Sequence, residues 1–387
     1  MKFPRVPKRD GLFAAVLALV CAALWLIPAP TRLAAPGGTA AAARVLSIDD
    51  SDLQLHGLVR FGSQRLEIEV LSGEFAGKRF PAANELRGQL EIDKYYRPGD
   101  RITVTVADGI VPGESVLTAR DHDRSLWTWT LFGGFCLLLI VFGGWTGVKA
   151  LFSFVFSCLV IFKAVIPLAL AGWAASWVIF ASVVLLTAVI IFLVAGVTRK
   201  GLAAFTGAIA GVFAGLVMAH VFGALLKING ATMPYVQTLL YSGFEKLDIA
   251  DVFIGAVVLA SSGAVMDLAM DIAAAVEELA RHNPGLDARA LTLSGFRIGR
   301  SVVGTMTTTL LLAYSGGYLT LLMMFTAQGT DFADILNNPL VAAEAVKTLI
   351  GSFSLVLVAP LTAVTSGWIF GRRKVDGMHA EGEGKPF

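Results

Sequence analysis

Asp267 and Asp271 stand in a stretch, Ser261 to Glu278 (SSGAVMDLAMDIAAAVEE), that otherwise has the apolar character of a membrane-spanning helix. Four residues apart, they share one helical face. A carboxylate at the middle of a span costs roughly 3 kcal/mol on insertion scales. Two carboxylates in that position have the chemistry of a proton or cation site, of a proton relay, or of a polar contact inside a helix bundle.

Other polar residues gather late in the chain. Ser261 and Ser262 lie about two turns nearer the outer surface, and Glu277 and Glu278 lie toward the inner end, in the headgroup zone. Asn283-Pro284 stops the helix. The next span starts with Arg297 and Arg300 and carries Thr305, Thr307, Thr308, Thr309, Tyr314 and Ser315 into the membrane. Lys163 is the one cation that the sequence places deep in a span. Plainer roles stand beside these. Arg297 and Arg300 serve equally as interfacial anchors, and threonine hydroxyls can bond their own helix backbone. The aspartates serve equally as a buried structural pair with Lys163 or the inner arginines, and Lys163 can snorkel.

The elements that must position these groups follow from composition. Of 387 residues, 56% are hydrophobic and 16% charged, against about 25% charged in soluble globular chains. Mean hydropathy is +0.71. This is the signature of an α-helical polytopic membrane protein with a modest soluble part. A net charge of +2 without a dense Lys/Arg stripe argues against nucleic acid as a partner. Cys21, Cys136 and Cys158 all lie in apolar runs, so neither a disulfide framework nor a metal site is expected. The histidines are scattered and read as structural or surface residues. Gly73-Glu-Phe-Ala-Gly77-Lys78, followed by Arg79, has the wrong spacing for a phosphate-binding loop. No cofactor and no ATP-driven step is expected.

Residues 1–30 read as an N-terminal membrane anchor, with Lys2, Arg5, Lys8 and Arg9 before the apolar run Gly11–Ala29. A signal peptide is the alternative, since small residues follow at Ala34, Ala35 and Ala40 to Ala43. Residues 45–120 read as a small extracytoplasmic β-rich domain, an OB-like barrel between the first and second spans. Arg65–Val70 and Arg101–Val106 alternate polar and apolar residues, Leu53–Val59 is a weaker strand, and Ser72-Gly73, Ala76-Gly77 and Pro98-Gly99-Asp100 mark turns. The domain lacks the basic aromatic face of nucleic-acid-binding barrels, so a structural role fits it better.

A seven-helix transmembrane bundle is expected over 126–370, with spans near 126–146, 151–172, 174–196, 201–225, 251–274, 301–326 and 343–370. The anchor makes about eight spans. With the N-terminus inside, the inner segments hold Lys149, Arg199, Lys200, Arg281, Arg289, Arg297, Arg300, Arg372, Arg373 and Lys374, and the outer ones only Lys227 and Lys246 beyond the β-domain. This satisfies the positive-inside rule and leaves 371–387 as a cytoplasmic tail. Gly207, Gly211 and Gly215 form a doubled GxxxG, read as close packing inside the bundle in preference to a dimer face.

Gly263-Ala-Val-Met-Asp267-Leu-Ala-Met-Asp271, Asn283-Pro284, Ser294-Gly-x-Arg-Ile-Gly-Arg300, Gly304-Thr-Met306 and Leu312-Ala-Tyr314 resemble the YibE/F-like family of multipass bacterial membrane proteins. The order of anchor, β-rich segment and seven spans is similar to that family too. The resemblance implies a bacterial inner (cytoplasmic) membrane protein. About activity it implies little, because the family is described only loosely, as transporters.

Secondary transport or permeation of an ion or solute is the leading expectation, with Asp267 and Asp271 binding a proton or cation. Its polar partners would come from Lys163, Ser261, Ser262, Arg297, Arg300, Thr305, Thr309 and Tyr314. A membrane scaffold or assembly factor recruiting a partner through the β-domain is the alternative. An intramembrane enzyme fits less well, because both aspartates are on one helix, and the chain is read as a non-enzyme. The partners implied are the lipid bilayer, an unidentified small solute or ion, and further copies of the chain in a homo-oligomer. Cysteines introduced singly at Ser72 and Gly377 test the topology: an impermeant thiol reagent should label Ser72→Cys in intact spheroplasts and Gly377→Cys only after lysis.

Overall fold

The computed structural model of the chain describes residues 8–26, 39–90, 92–107 and 115–371. Lys2, Arg5, Ala34, Ala35, Arg372, Arg373, Lys374 and the expected tail from 372 lie outside the described residues. The chain divides into two units, Pro30–Leu138 and Met1–Ala29 with Leu139–Phe387. Helix α1 (Lys8–Leu26) belongs to the second.

The first unit contains β1 (Thr39–Asp49), β2 (Gln54–His56), β3 (Val59–Val70), β4 (Arg79–Arg87), β5 (Arg101–Val106) and β6 (Leu117–His122). The sheet runs β1-β5-β6-β4-β3-β2, and β1 also pairs with β3. Five strands therefore close into a small barrel, with β2 as an added hairpin arm. The β4–β6 pair is parallel and the others are antiparallel. This closed Greek-key order is that of an OB-type barrel. Period-two patterning places Ala41, Ala43, Val45, Leu66, Ile68, Val70, Phe80, Ala82, Ile102 and Val104 in its core.

Two details differ from the sequence reading. Leu53–Val59 is not one strand. It folds into the β2–β3 turn, with His56 opposite Val59 and Gly57 at φ +63°, a conformation glycine adopts without a Cβ penalty. Ala40–Ala43, read as cleavage-site residues, lie in β1 and pair with β5. Apolar alternation is hard to see in a run of alanines.

The segment between β4 and β5 is tied down by a buried amide. Gln64 is 0% exposed. Its Nε2 donates to Asp50 Oδ1 and to the Tyr96 carbonyl, both at 3.0 Å, and its Oε1 accepts from Tyr96 N at 3.1 Å and Asn84 Nδ2 at 3.2 Å. All its main hydrogen-bonding capacity is used, which removes the cost of burying it. Burial pushes the Tyr96 phenol up to about 12.

The second unit is helical. Its elements are the later part of α2 (Ser125–Val160), a π-helical turn Ile161–Val165, α3 (Ile166–Leu170), α4 (Ala175–Ala195), α5 (Arg199–Leu225), α6 (Val236–Tyr241), α7 (Ile249–His282), α8 (Ala288–Ser315), α9 (Leu319–Gln328), α10 (Phe332–Asn337) and α11 (Pro339–Gly371). Among the described residues, six helical stretches are long and apolar enough to cross a membrane: Ser125–Leu170, Ala175–Ala195, Arg199–Leu225, Ile249–His282, Ala288–Gln328 and Pro339–Gly371.

The two segments expected at 126–146 and 151–172 form one stretch with a sharp break. Gly144 has φ 53° and ψ −129°. A Cβ on Gly147 would sit 2.0 Å from the Leu139 carbonyl oxygen, whereas eight residues of straight helix span about 12 Å. Lys149, expected in an inner loop, is instead only 8% exposed within α2. Further on, Pro167 has no N–H for the Lys163 carbonyl, and the helix widens into its π turn just before it.

Helix α11 is the hub, packed by α5, α7 and α8. On α5, Gly207 abuts Thr362, Gly211 abuts Val358 and Gly215 abuts Ser354. On α8, Gly295 and Gly299 abut Ala363 and Ala359. The GxxxG stripe thus packs inside the bundle. A Cβ at Gly207 would lie 2.1 Å from Thr362 Oγ1 and 2.8 Å from its Cα. Gly207→Val should therefore destabilise the protein by about 1–3 kcal/mol or more through overpacking. Gly304→Ala, where nothing lies within 4 Å, should stay within about 0.5 kcal/mol of wild type. Melting of the detergent-solubilised protein measures both.

Candidate functional site

Asp248 starts α7 by accepting hydrogen bonds from Ala250 N at 3.0 Å and Asp251 N at 3.1 Å. The helix runs past the expected span to His282, where Arg281 pairs with Glu278 at 2.6 Å. Along it, Val258, Val265, Ala269 and Val276 form one stripe and are buried. Ala256, Ala260, Gly263, Asp267 and Asp271 form the opposite stripe, and all are exposed. Neither aspartate makes a hydrogen bond or ion pair among the described residues. Of the roles read from the sequence, the buried structural pair with Lys163 or the inner arginines is the one this exposure does not fit. Small and apolar residues win the inner side of α7 because α11 and α5 approach it closely, and the carboxylates are left on the open side.

Other expected partners are dispersed. Ser261 and Ser262 are buried, with hydroxyls donating to the Val258 carbonyl at 3.1 Å and the Leu259 carbonyl at 2.7 Å. Ser261 and Tyr314 both lie close to Gly351 of α11: a Cβ there would be 3.4 Å from Ser261 Cβ and 3.6 Å from the Tyr314 hydroxyl. Arg300 lines an apolar groove of about 420 Å³ between α8 and α11, with Phe296, Val303, Val356 and Pro360. Arg297 is exposed. Thr305, Thr308 and Thr309 donate to the Val302, Gly304 and Thr305 carbonyls at 2.9–3.0 Å, and Thr307 bonds Val303 in the same way. The threonine face of α8 is thus satisfied by its own backbone. Lys163 lies half-buried in the π turn, and none of the ion pairs described here joins it to Asp267 or Asp271.

The structure assembles polar contacts that sequence reasoning missed. Asp251 Oδ2 accepts from Ser176 N at 3.0 Å, and its Oδ1 lies 3.8 Å from His220 Nε2. His220 Nδ1 lies 3.0 Å from the Leu216 carbonyl. One carboxylate therefore joins α4, α5 and α7. At the other end of α7, Glu277 pairs with Lys200 at 3.5 Å. Nothing in local spacing announces these contacts, since each joins residues far apart in the chain.

A profile of YibE/F-like proteins matches residues 131–372, well over half of the 387 residues. The chain belongs to the YibE/F-like family. The match begins after the barrel, within α2, and covers the helices from there to α11, including every residue of the late motif block. No curated protein and no solved structure matches the chain. Family and six long apolar helices together mark this YibE/F-like protein as a membrane protein.

Two carboxylates a turn apart, unpaired among the described residues, offer oxygen ligands to a hard cation or a place for a proton. Because they hold no other element, Asp267→Asn, Asp271→Asn and the double variant should melt within about 0.5 kcal/mol of wild type. Asp251→Ala strands the Ser176 N–H and should cost about 1–3 kcal/mol. Thermal unfolding with monodisperse yield distinguishes the two classes.

Proposed function

We propose that this YibE/F-like protein is a non-enzymatic permease of the bacterial inner membrane that binds a proton or cation at Asp267 and Asp271 during transport. The observation that carries this reading is two aspartates on one face of a long apolar helix, neither neutralised by a cation among the described residues. A structural pair would be tied into the bundle, as Asp251 is. Charges in a span without such a role are costly.

The proposed topology has eight crossings with both termini cytoplasmic and the barrel outside. The break at Gly144 supports counting Ser125–Leu170 twice, and α1 supplies the remaining crossing. The cation bias of the loops supports the sidedness. The open stripe on α7 favours a working form in which this side meets a water-filled path or another copy of the chain.

Purified protein in vesicles, screened for proton and cation flux beside Asp267→Asn and Asp271→Asn, tests the proposal. Flux that is abolished in variants of normal stability supports it. Normal flux in the double variant overturns it. No flux for any solute, together with a protein that copurifies through the barrel, favours the scaffold reading.

A further inference from the structure

The barrel carries an apolar tip that its own core does not use. Leu58, in the β2–β3 turn, is 90% exposed, Leu55 on β2 is 69% exposed and Leu90, after β4, is 73% exposed. Ile92 is also exposed. Phe61 joins the two parts, since a Cβ on Gly88 would lie 2.2 Å from its ring. His56 adds an edge-on contact to Phe61 at 5.6 Å. The described residues beside Leu90 and Ile92 are hydrogen-bonded to one another. The Asp93 carboxylate accepts from Arg87 N at 3.0 Å and Gln89 N at 2.8 Å, and the Gln89 carbonyl accepts from Ile92 N at 3.0 Å and Asp93 N at 2.8 Å. Leu90 and Ile92 nonetheless keep their side chains in the open.

Strand register tells which end of the barrel this is. Phe61 lies opposite Arg87, so the β2–β3 turn and the end of β4 are together. β4 and β6 are parallel, with Ala82 opposite Leu117 and Ala83 opposite Thr118. The ends of β4 at Arg87 and β6 at His122 therefore lie at the same end. Only Asp123 and Arg124 separate β6 from α2, and Asp123 N donates to the Arg101 carbonyl at 2.8 Å. The apolar tip is thus on the end from which the chain enters its first long apolar helix. Exposed Trp127 and Trp129 follow within the first turns of α2, where an aromatic belt meets lipid headgroups. Exposed Arg87 stands on the same end, as does exposed Arg60, whose guanidinium lies 4.0 Å over the Tyr95 ring; cations at a membrane surface are attracted by lipid phosphates. The turn Ser72–Gly77 lies at the opposite end, beyond Val70 and before Arg79.

We infer that the tip formed by Leu55, Leu58, Phe61, Leu90 and Ile92 is a membrane-docking surface that inserts into the headgroup and upper acyl region of the leaflet α2 enters. Amphipathic segments bury an apolar face about 5–10 Å into this zone. The inference rests on α2 being a membrane span and not on transport.

The test uses full-length protein with Cys21, Cys136 and Cys158 replaced by alanine, in phosphatidylcholine–phosphatidylglycerol vesicles. A fluorophore is attached at Leu58→Cys, Leu90→Cys, Glu74→Cys or Leu137→Cys in turn. Quenching is compared between aqueous iodide and a lipid bearing a nitroxide high on its acyl chain. Leu58→Cys and Leu90→Cys should be quenched severalfold more by the lipid nitroxide than Glu74→Cys, and shielded from iodide. Iodide quenching at the tip equal to that at Glu74→Cys overturns the inference, as does a tip shielded from both quenchers, which would mean a protein covers it. Leu137→Cys, within α2, should respond to the lipid nitroxide throughout. Failure there overturns the span reading itself, whereas failure at the tip alone leaves the span intact.

Discussion

The bundle depends on how closely α11 can be approached. Lipid tails are as apolar as leucine, so burying apolar surface drives helix association weakly in a membrane, and close van der Waals contact must do more of it. Bare glycines provide that contact. Gly207, Gly211 and Gly215 of α5 receive Thr362, Val358 and Ser354, and Gly295 and Gly299 of α8 receive Ala363 and Ala359. Gly367 of α11 in turn lies against Thr292. Each contact brings two backbones near enough that a Cβ would overlap its neighbour.

This packing decides where polar groups go. α7 gives α11, α5 and α4 its valines and alanines, and that leaves Asp267 and Asp271 on the side opposite Val265 and Val276. α8 buries little beyond Leu291, Gly295, Gly299 and Leu310, so Thr305, Thr308 and Thr309 are exposed and turn to their own helix carbonyls. The charged groups that do join helices are found near α7's ends, where Asp251 links α4 and α5 and Glu277 meets Lys200. The apolar middle of the helix is free of such links among the described residues, apart from backbone-bonded serines.

The barrel obeys a different rule. Its core is held by alternation and by the fully bonded amide of Gln64, which fixes the β4–β5 segment against the strands. Hydrophobic burial in water accounts for Ile68, Phe80 and Ile102. The same effect makes the exposed Leu58 and Leu90 conspicuous, because neither contributes to that core.

By itself the sequence determined the membrane class, most of the helices, the strands at Arg65–Val70 and Arg101–Val106 and, through its late motif block, the family; it suggested a small barrel, but the strand that closes it was not seen. These follow from local periodicity, length and composition, which neighbouring residues carry between them. It also supplied the glycine stripe and its use in packing, because GxxxG spacing is a property of one helix. It implied a loop around Lys149 where the chain instead bends at Gly144 and continues as helix, since a glycine pair reads alike in a straight helix and in a bend. It missed β1, whose run of alanines hides the alternation. Only the tertiary structure decided which side of α7 faces inward, that Ser261 and Tyr314 both come up against Gly351, and that Asp251 is the carboxylate tying helices together. A single amphipathic pattern shows that two faces differ. Which face is buried is set by the neighbours that arrive, and in lipid the tightest-packing face wins over the polar one.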